Sequence, residues 1–203
     1  LTIRGNKQHA INSAKRVEIY SGNVIIDQAE GDGINADGLE MYGGKLSIKD
    51  TKSDGVDCSE LIYIEDGEVS FEVFSDDRKG LKCDSVIEIK GGKITADVTG
   101  KGSKALKAKK KVQFIGGDLF VSLDAKEPFV GTDNDYGYNA AIACDGDIWI
   151  GDSGNLQVKG SGIAAKGINC DANILINGGI YSADLTGSYY DEKANHDTVS
   201  CMG

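Results

Sequence analysis

A glycine closes a tight turn at Gly22, Gly44, Gly67, Gly92, Gly117, Gly154 and Gly179, at spacings of 22, 23, 25, 25, 37 and 25 residues. The surroundings of each copy are alike. An alternating apolar pair precedes it: Val17/Ile19, Leu39/Met41, Ile62/Ile64, Ile87/Ile89, Val112/Phe114, Ile148/Ile150, Ile174/Ile176. A second pair follows, from Val24/Ile26 and Leu46/Ile48 to Leu156/Val158 and Tyr181/Ala183. A third short apolar segment stands between copies, at Ile11, Ile34, Val56, Leu81, Leu106, Ile142, Ile168 and Val199. Strand side chains point alternately to opposite faces, so each pair commits one face to the interior. Three strands in 22–25 residues are too few to bury that face alone. Stacked copies bury it, with each strand lying beside its equivalent about 4.8 Å away. The expectation is an all-β chain: a parallel β-helix (solenoid) of about seven to eight three-strand rungs, one domain over residues 1–203. A propeller blade needs ~40 residues or more, which the period excludes.

The cysteines check the register. Two residues after each third-segment aliphatic stand Ser13, Ala36, Cys58, Cys83, Ala108, Cys144, Cys170 and Cys201. All five cysteines fall in this column, and its other members are small. An inward column at a tight corner suits Cys as a small hydrophobe, so the thiols read as structural and free. Bonds between adjacent rungs, Cys58–Cys83 or Cys144–Cys170, are the alternative. Two rungs carry extra residues at the same corner, 124–139 and 187–197, which makes the two insertions candidate neighbours on one face. Leu1 and Ile3 read as the second pair of an incomplete rung, and no capping helix is evident. Further rungs or domains are therefore expected upstream.

Composition removes other classes. No apolar run approaches the ~18–20 residues of a membrane span. Lys+Arg number 22 against 32 Asp+Glu, a net charge of −10, so general affinity for nucleic acid is not expected. Gly numbers 28 with a single Pro and no G-X-Y period, which fits short strands with tight turns and not collagen. No catalytic elbow, phosphate loop or zinc motif occurs.

Three surface features carry chemistry. The acidic corners Asp32-Gly33 and Asp54-Gly55, with Asp57, Asp76 and Asp77, place carboxylates on neighbouring rungs, where Ca²⁺ would find oxygen ligands; Asp-Gly is equally ordinary turn chemistry. The next rungs put Lys79, Lys82, Lys104 and Lys107 at equivalent positions, a stripe suited to an acidic polymer or to a solvated face balancing its acidic neighbour. Outward between the first pairs stand Glu18, Glu40, Tyr63, Glu88, Gln113, Trp149 and Leu175. Tyr63 and Trp149 are candidate platforms for sugar rings, or for a covering loop or partner chain. Tyr136, Tyr138, Tyr189 and Tyr190 form a second aromatic group on the insertions.

The runs GDGINADGLEMYGGKLSI, SDGVDCSELIYIEDGEVSF and KGLKCDSVIEIKGGKITA resemble the right-handed parallel β-helix carbohydrate-binding domains of clostridial type, over residues 9–183. The resemblance implies the right hand and a pectate-lyase-like shape. It further implies a non-catalytic role in binding acidic (pectic) or cellulose-like polysaccharides, bound calcium, and a secreted or cell-surface location. Its Asp-Gly corner survives at Asp32 and Asp54, the best metal candidates, and is replaced at Lys79-Gly80, Lys104-Ala105, Ala140-Ala141 and Lys166-Gly167. Polysaccharide is the expected partner. The rivals are a structural or adhesive module and a Ca²⁺-dependent lyase of acidic polysaccharides, with Arg78 or Lys82 beside Asp54, Asp57 and Asp76 as its machinery.

Overall fold

The computed structural model describes residues 1–5, 7–132 and 135–190 and is built from β-strands joined by turns, with no helix among them. The strands wind into a parallel solenoid of about seven turns and three long sheets. Sheet one holds Ile11–Asn12, the first halves of Ile34–Met41 and Val56–Ile64, then Lys79–Cys83, Lys104–Ala108, Ala140–Cys144 and Lys166–Cys170. Sheet two takes Arg16–Ile19, the second halves of the same two long strands, Val86–Ile89, the starts of Lys111–Leu123 and Asp147–Gly160, and Ile174–Ile176. Sheet three runs from Thr2–Ile3 through Asn23–Ile26, Lys45–Ile48, Glu68–Val73 and Lys93–Val98. It continues through the ends of Lys111–Leu123 and Asp147–Gly160 to Ile180–Leu185.

Period-two alternation is what closes this cylinder. In Glu68–Val73 and Lys93–Val98, exposed and buried residues alternate without a break. Register then stacks like on like: Leu39, Ile62, Ile87, Val112 and Ile148 pair in succession and each is 0% exposed. Inside the solenoid such columns form the core, and burial of each aliphatic stabilises the fold by roughly 1.5–3 kcal/mol relative to exposure. The long spacing of 37 residues has two causes. The insertion at 124–139 adds most of it, and a bulge where Phe114 and Gly116 pair with Ile150 and Ser153 adds the rest. At the turn between sheets two and three, Gly22, Gly44, Gly67, Gly92, Gly117 and Gly179 have φ between 79° and 109°, a region that favours glycine. Gly154, in the bulged turn, is not among them.

The small column is as the sequence predicts. Ala36, Cys58, Cys83, Ala108, Cys144 and Cys170 pair in order, and the four thiols among the described residues are free. Burial pushes the Cys58 thiol up to about 12, so it stays protonated and unreactive. Cys201 and Val199 lie outside the described residues, as do Asp133, Asn134 and residues 191–197 of the second insertion.

Candidate functional site

The acidic corner is a backbone clamp first. Asp32 and Asp54 are 4% and 5% exposed. Asp32 Oδ1 accepts the Asp54 N–H at 2.9 Å, and Asp54 Oδ1 accepts the Lys79 N–H at 2.8 Å, so each carboxylate holds the next turn. One oxygen each of Asp32, Asp54 and Asp57 lie within 4.8 Å of one another. Lys82 Nζ sits among them, 2.7 Å from Asp57 Oδ2 and 3.4 Å from Asp54 Oδ2. With that ammonium in place the corner carries its own cation. A Ca²⁺ ion here would have to displace that ammonium from Asp54 and Asp57 and draw the rest of its six to eight donors from beyond the three carboxylates. Asp76 and Asp77 stand apart from the triad: Asp76 Oδ1 accepts the Lys101 N–H at 2.9 Å, and Asp77 Oδ1 meets Lys79 Nζ at 3.0 Å. Burial raises the Asp54 pKa above the usual carboxylate value, partly offset by the Lys79 N–H and the Lys82 charge.

The lysine stripe forms in register, Lys79 beside Lys104 and Lys82 beside Lys107. Its charges are largely answered. Lys79 pairs with Asp77, Lys82 with Asp57 and Asp54, and Lys107 with Asp145. Lys104 donates to the Gly102 carbonyl, and burial together with Lys79 brings its pKa down to about 8. The first insertion covers it. Phe129–Val130 and Tyr136–Gly137 pair antiparallel, and a Cβ on Gly102 would lie 2.5 Å from Phe129 Cβ, so this hairpin folds back on the preceding turn. The insertions meet: the rings of Tyr136 and Tyr190 are 5.5 Å apart, Tyr138 lies 5.4 Å under Lys166 Nζ, and Tyr189 is exposed.

Tyr63 and Trp149 occupy the outward column of sheet two, and each ring has a lysine ammonium over it. Tyr63 is bracketed by Tyr42, with centroids 5.9 Å apart, and by Lys90 Nζ at 5.1 Å. Trp149 is half-buried under Lys111 Nζ at 5.7 Å, and its covered Nε1 has no hydrogen-bond partner. Tyr20 and Tyr42, which the outward count passed over, stack at 4.9 Å and 12°. Face-to-face stacking along the axis leaves ring edges outward, and the Tyr42 hydroxyl donates to buried Glu40 at 2.6 Å. These rings contact one another from rung to rung, and Tyr20 at the end of the line stays exposed.

Sheet three offers a different surface, which the sequence reading missed. Its outward column runs Ser47, Ser70, Thr95, Phe120, Gln157 and Ser182, one residue per turn. Three shallow concavities share its residues and join into one trough, of about 390 Å³ at its broadest, between Thr95, Phe120 and Gln157. Lys45, Glu68 and Lys93 form one bank; Lys49, Glu72, Asp97 and Lys159 form the other. Lys45 pairs with Glu68 at 2.8 Å, and Lys93 Nζ lies 5.6 Å from the Phe120 ring. Hydroxyls, an amide, paired charges and one ring recur at strand spacing along an open face.

Fold and surface together define an elongated solenoid scaffold that displays repeated contacts on flat sides. A protein-family model described as "Carbohydrate-binding domain-containing protein" matches residues 1–189, and the chain belongs to that family. No curated protein and no solved structure matches it.

Proposed function

We propose that the chain is a non-catalytic polysaccharide-binding module that holds a glycan along the trough of sheet three. Family membership supports the ligand class, and the once-per-turn ladder Ser47, Ser70, Thr95, Phe120 and Gln157 supports the face. An extended glycan repeats its hydroxyls and its flat C–H faces, so a rigid ladder meets it with repeated hydrogen bonds and a ring contact at Phe120. Of cellulose-like and pectic chains, the neutral one suits this trough. Lys45, Lys49, Lys93 and Lys159 stand on its banks against Glu68, Glu72 and Asp97, so the charges nearly cancel and offer a row of uronate carboxylates no continuous positive stripe.

Affinity electrophoresis in gels carrying a soluble β-glucan or polygalacturonate tests this reading. The expected result is retardation by the glucan that falls by about tenfold in affinity on Phe120→Ala, the ~1.4 kcal/mol of one lost ring contact. Tyr63→Ala leaves it unchanged. Failure of every glycan in a wide panel to retard the protein overturns the function. Retardation lost in Tyr63→Ala and kept in Phe120→Ala moves the site to sheet two.

A further inference from the structure

The geometry points to an oxyanion subsite between Lys104 and Lys166, under the first insertion, for a carboxylate or sulfate group. It lies on the corner preceding sheet one, away from the trough, and does not depend on the glycan reading. Lys104, Ala140 and Lys166 are successive partners in register. The two lysines are therefore two strand spacings apart, roughly 9.6 Å, with only a methyl group between them. Two lysine side chains are long enough to turn from their neutral acceptors and converge on one anion over that small residue.

Most lysines near this pair are already answered. Around this corner and along sheet one, Lys79, Lys82, Lys101, Lys107 and Lys109 each meet a carboxylate. Among the described residues, Lys104 and Lys166 meet none. Their other contacts are neutral: Lys104 donates to the Gly102 carbonyl, and Lys166 to Asn169 Oδ1 at 3.3 Å with the Tyr138 ring beneath it. Lys79 on the preceding turn, Lys107 on the same strand and Lys166 two turns on all bear on Lys104, and Asp77 opposes them. A half-buried ammonium crowded by like charge gains most from a counter-ion, because partial exclusion of water strengthens the pair. Burial first, and then the like charges of Lys79, Lys107 and Lys166, lower the proton affinity of Lys104.

The test uses the full chain labelled with ¹³C at the lysine ε-carbons, with Lys104 and Lys166 assigned through Lys104→Arg and Lys166→Arg. Sodium sulfate, sodium acetate and trigalacturonate are titrated separately at ionic strength fixed with chloride. The expected result is a saturable, concerted movement of the Lys104 and Lys166 signals, weakened about tenfold by Lys166→Met, as for loss of one charged hydrogen bond. Tighter binding of the trisaccharide than of acetate assigns the anion to an acidic sugar; equal binding assigns it to a free small anion. Equal, non-saturating movement of all lysines overturns the subsite. Phe120→Ala leaves the titration unchanged, so loss of either site is read separately.

Discussion

Asp54 shows how one buried carboxylate serves two turns. Its Oδ1 satisfies the Lys79 N–H, and its Oδ2 faces Lys82. Removing the acceptor strands a buried N–H, so Asp54→Ala should cost about 1–3 kcal/mol in chemical denaturation at neutral pH. Asp54→Asn keeps an acceptor and should stay within about 1 kcal/mol of the parent. The pH dependence separates charge from hydrogen bonding. Burial holds the folded-state pKa of Asp54 above the ordinary 3.8. Between those two values the folded chain binds more protons than the unfolded one, so this group's contribution falls as pH rises through that window and is constant above it. Asp54→Asn should remove that downward step from the stability–pH curve. A curve of unchanged shape would assign the slope to other groups.

The elements were more legible than their surfaces. Alternation at pairs such as Ile62/Ile64 and Val69/Phe71 gives strand identity, order and register, because a period of two admits one inward set. The cysteine column confirmed that register without coordinates. The trough was equally countable, as the residues between Leu46 and Ile48, Val69 and Phe71, Ile94 and Ala96, and Leu119 and Val121. Ser, Ser and Thr there look like any strand surface, and only their placement over joined concavities marks them. The partners of Lys82 and Lys107 were not readable, since they depend on where each corner swings a long side chain.

The same holds for the elbow glycines, where the constraint is space and not turn chemistry. A Cβ on Gly55 would lie 2.6 Å from the Gly80 carbonyl oxygen, a backbone atom with nowhere to go. One on Gly167, the equivalent position two turns past Ala105 and one past Ala141, meets nothing nearer than 3.5 Å. Gly55→Ala should therefore destabilise by about 1–3 kcal/mol. Gly167→Ala should be neutral or stabilise by up to about 1 kcal/mol through the unfolded chain. Equal melting temperatures for the two variants would contradict this reading of the elbow.

At the scale of the molecule, contacts run almost wholly between neighbouring turns, so stability is close to a sum over turns and their interfaces. A segment that leaves and re-enters at one corner adds little to that sum. The elbow between sheets three and one spans five residues at 99–103 and again at 161–165, but sixteen at 124–139. Replacing 124–139 with a copy of Thr99–Ser103 should leave a cooperatively folded solenoid, because Leu123 and Ala140 keep their partners Val98 and Lys104. The cost includes the Ser161 clamp at Asp124, whose Oδ1 accepts the Ser161 N–H at 2.8 Å, the Asn139 bond to the Gly100 carbonyl at 2.9 Å, the Ile163 N–H bond to the Ala125 carbonyl at 3.0 Å and the exposed Lys101–Glu127 pair. At about 1 kcal/mol per net hydrogen bond, melting should fall by several degrees. Lys104 should respond most, since burial is the first cause of its lowered pKa. Uncovered, its pKa should rise from about 8 toward the ordinary lysine value, held back by Lys79, Lys107 and Lys166, and its preference for an oxyanion should weaken, while β-glucan retardation through Phe120 persists. A variant that melts without cooperativity would make the insertion part of the core; one that folds but no longer binds glucan would place the glycan on the insertion and not on sheet three.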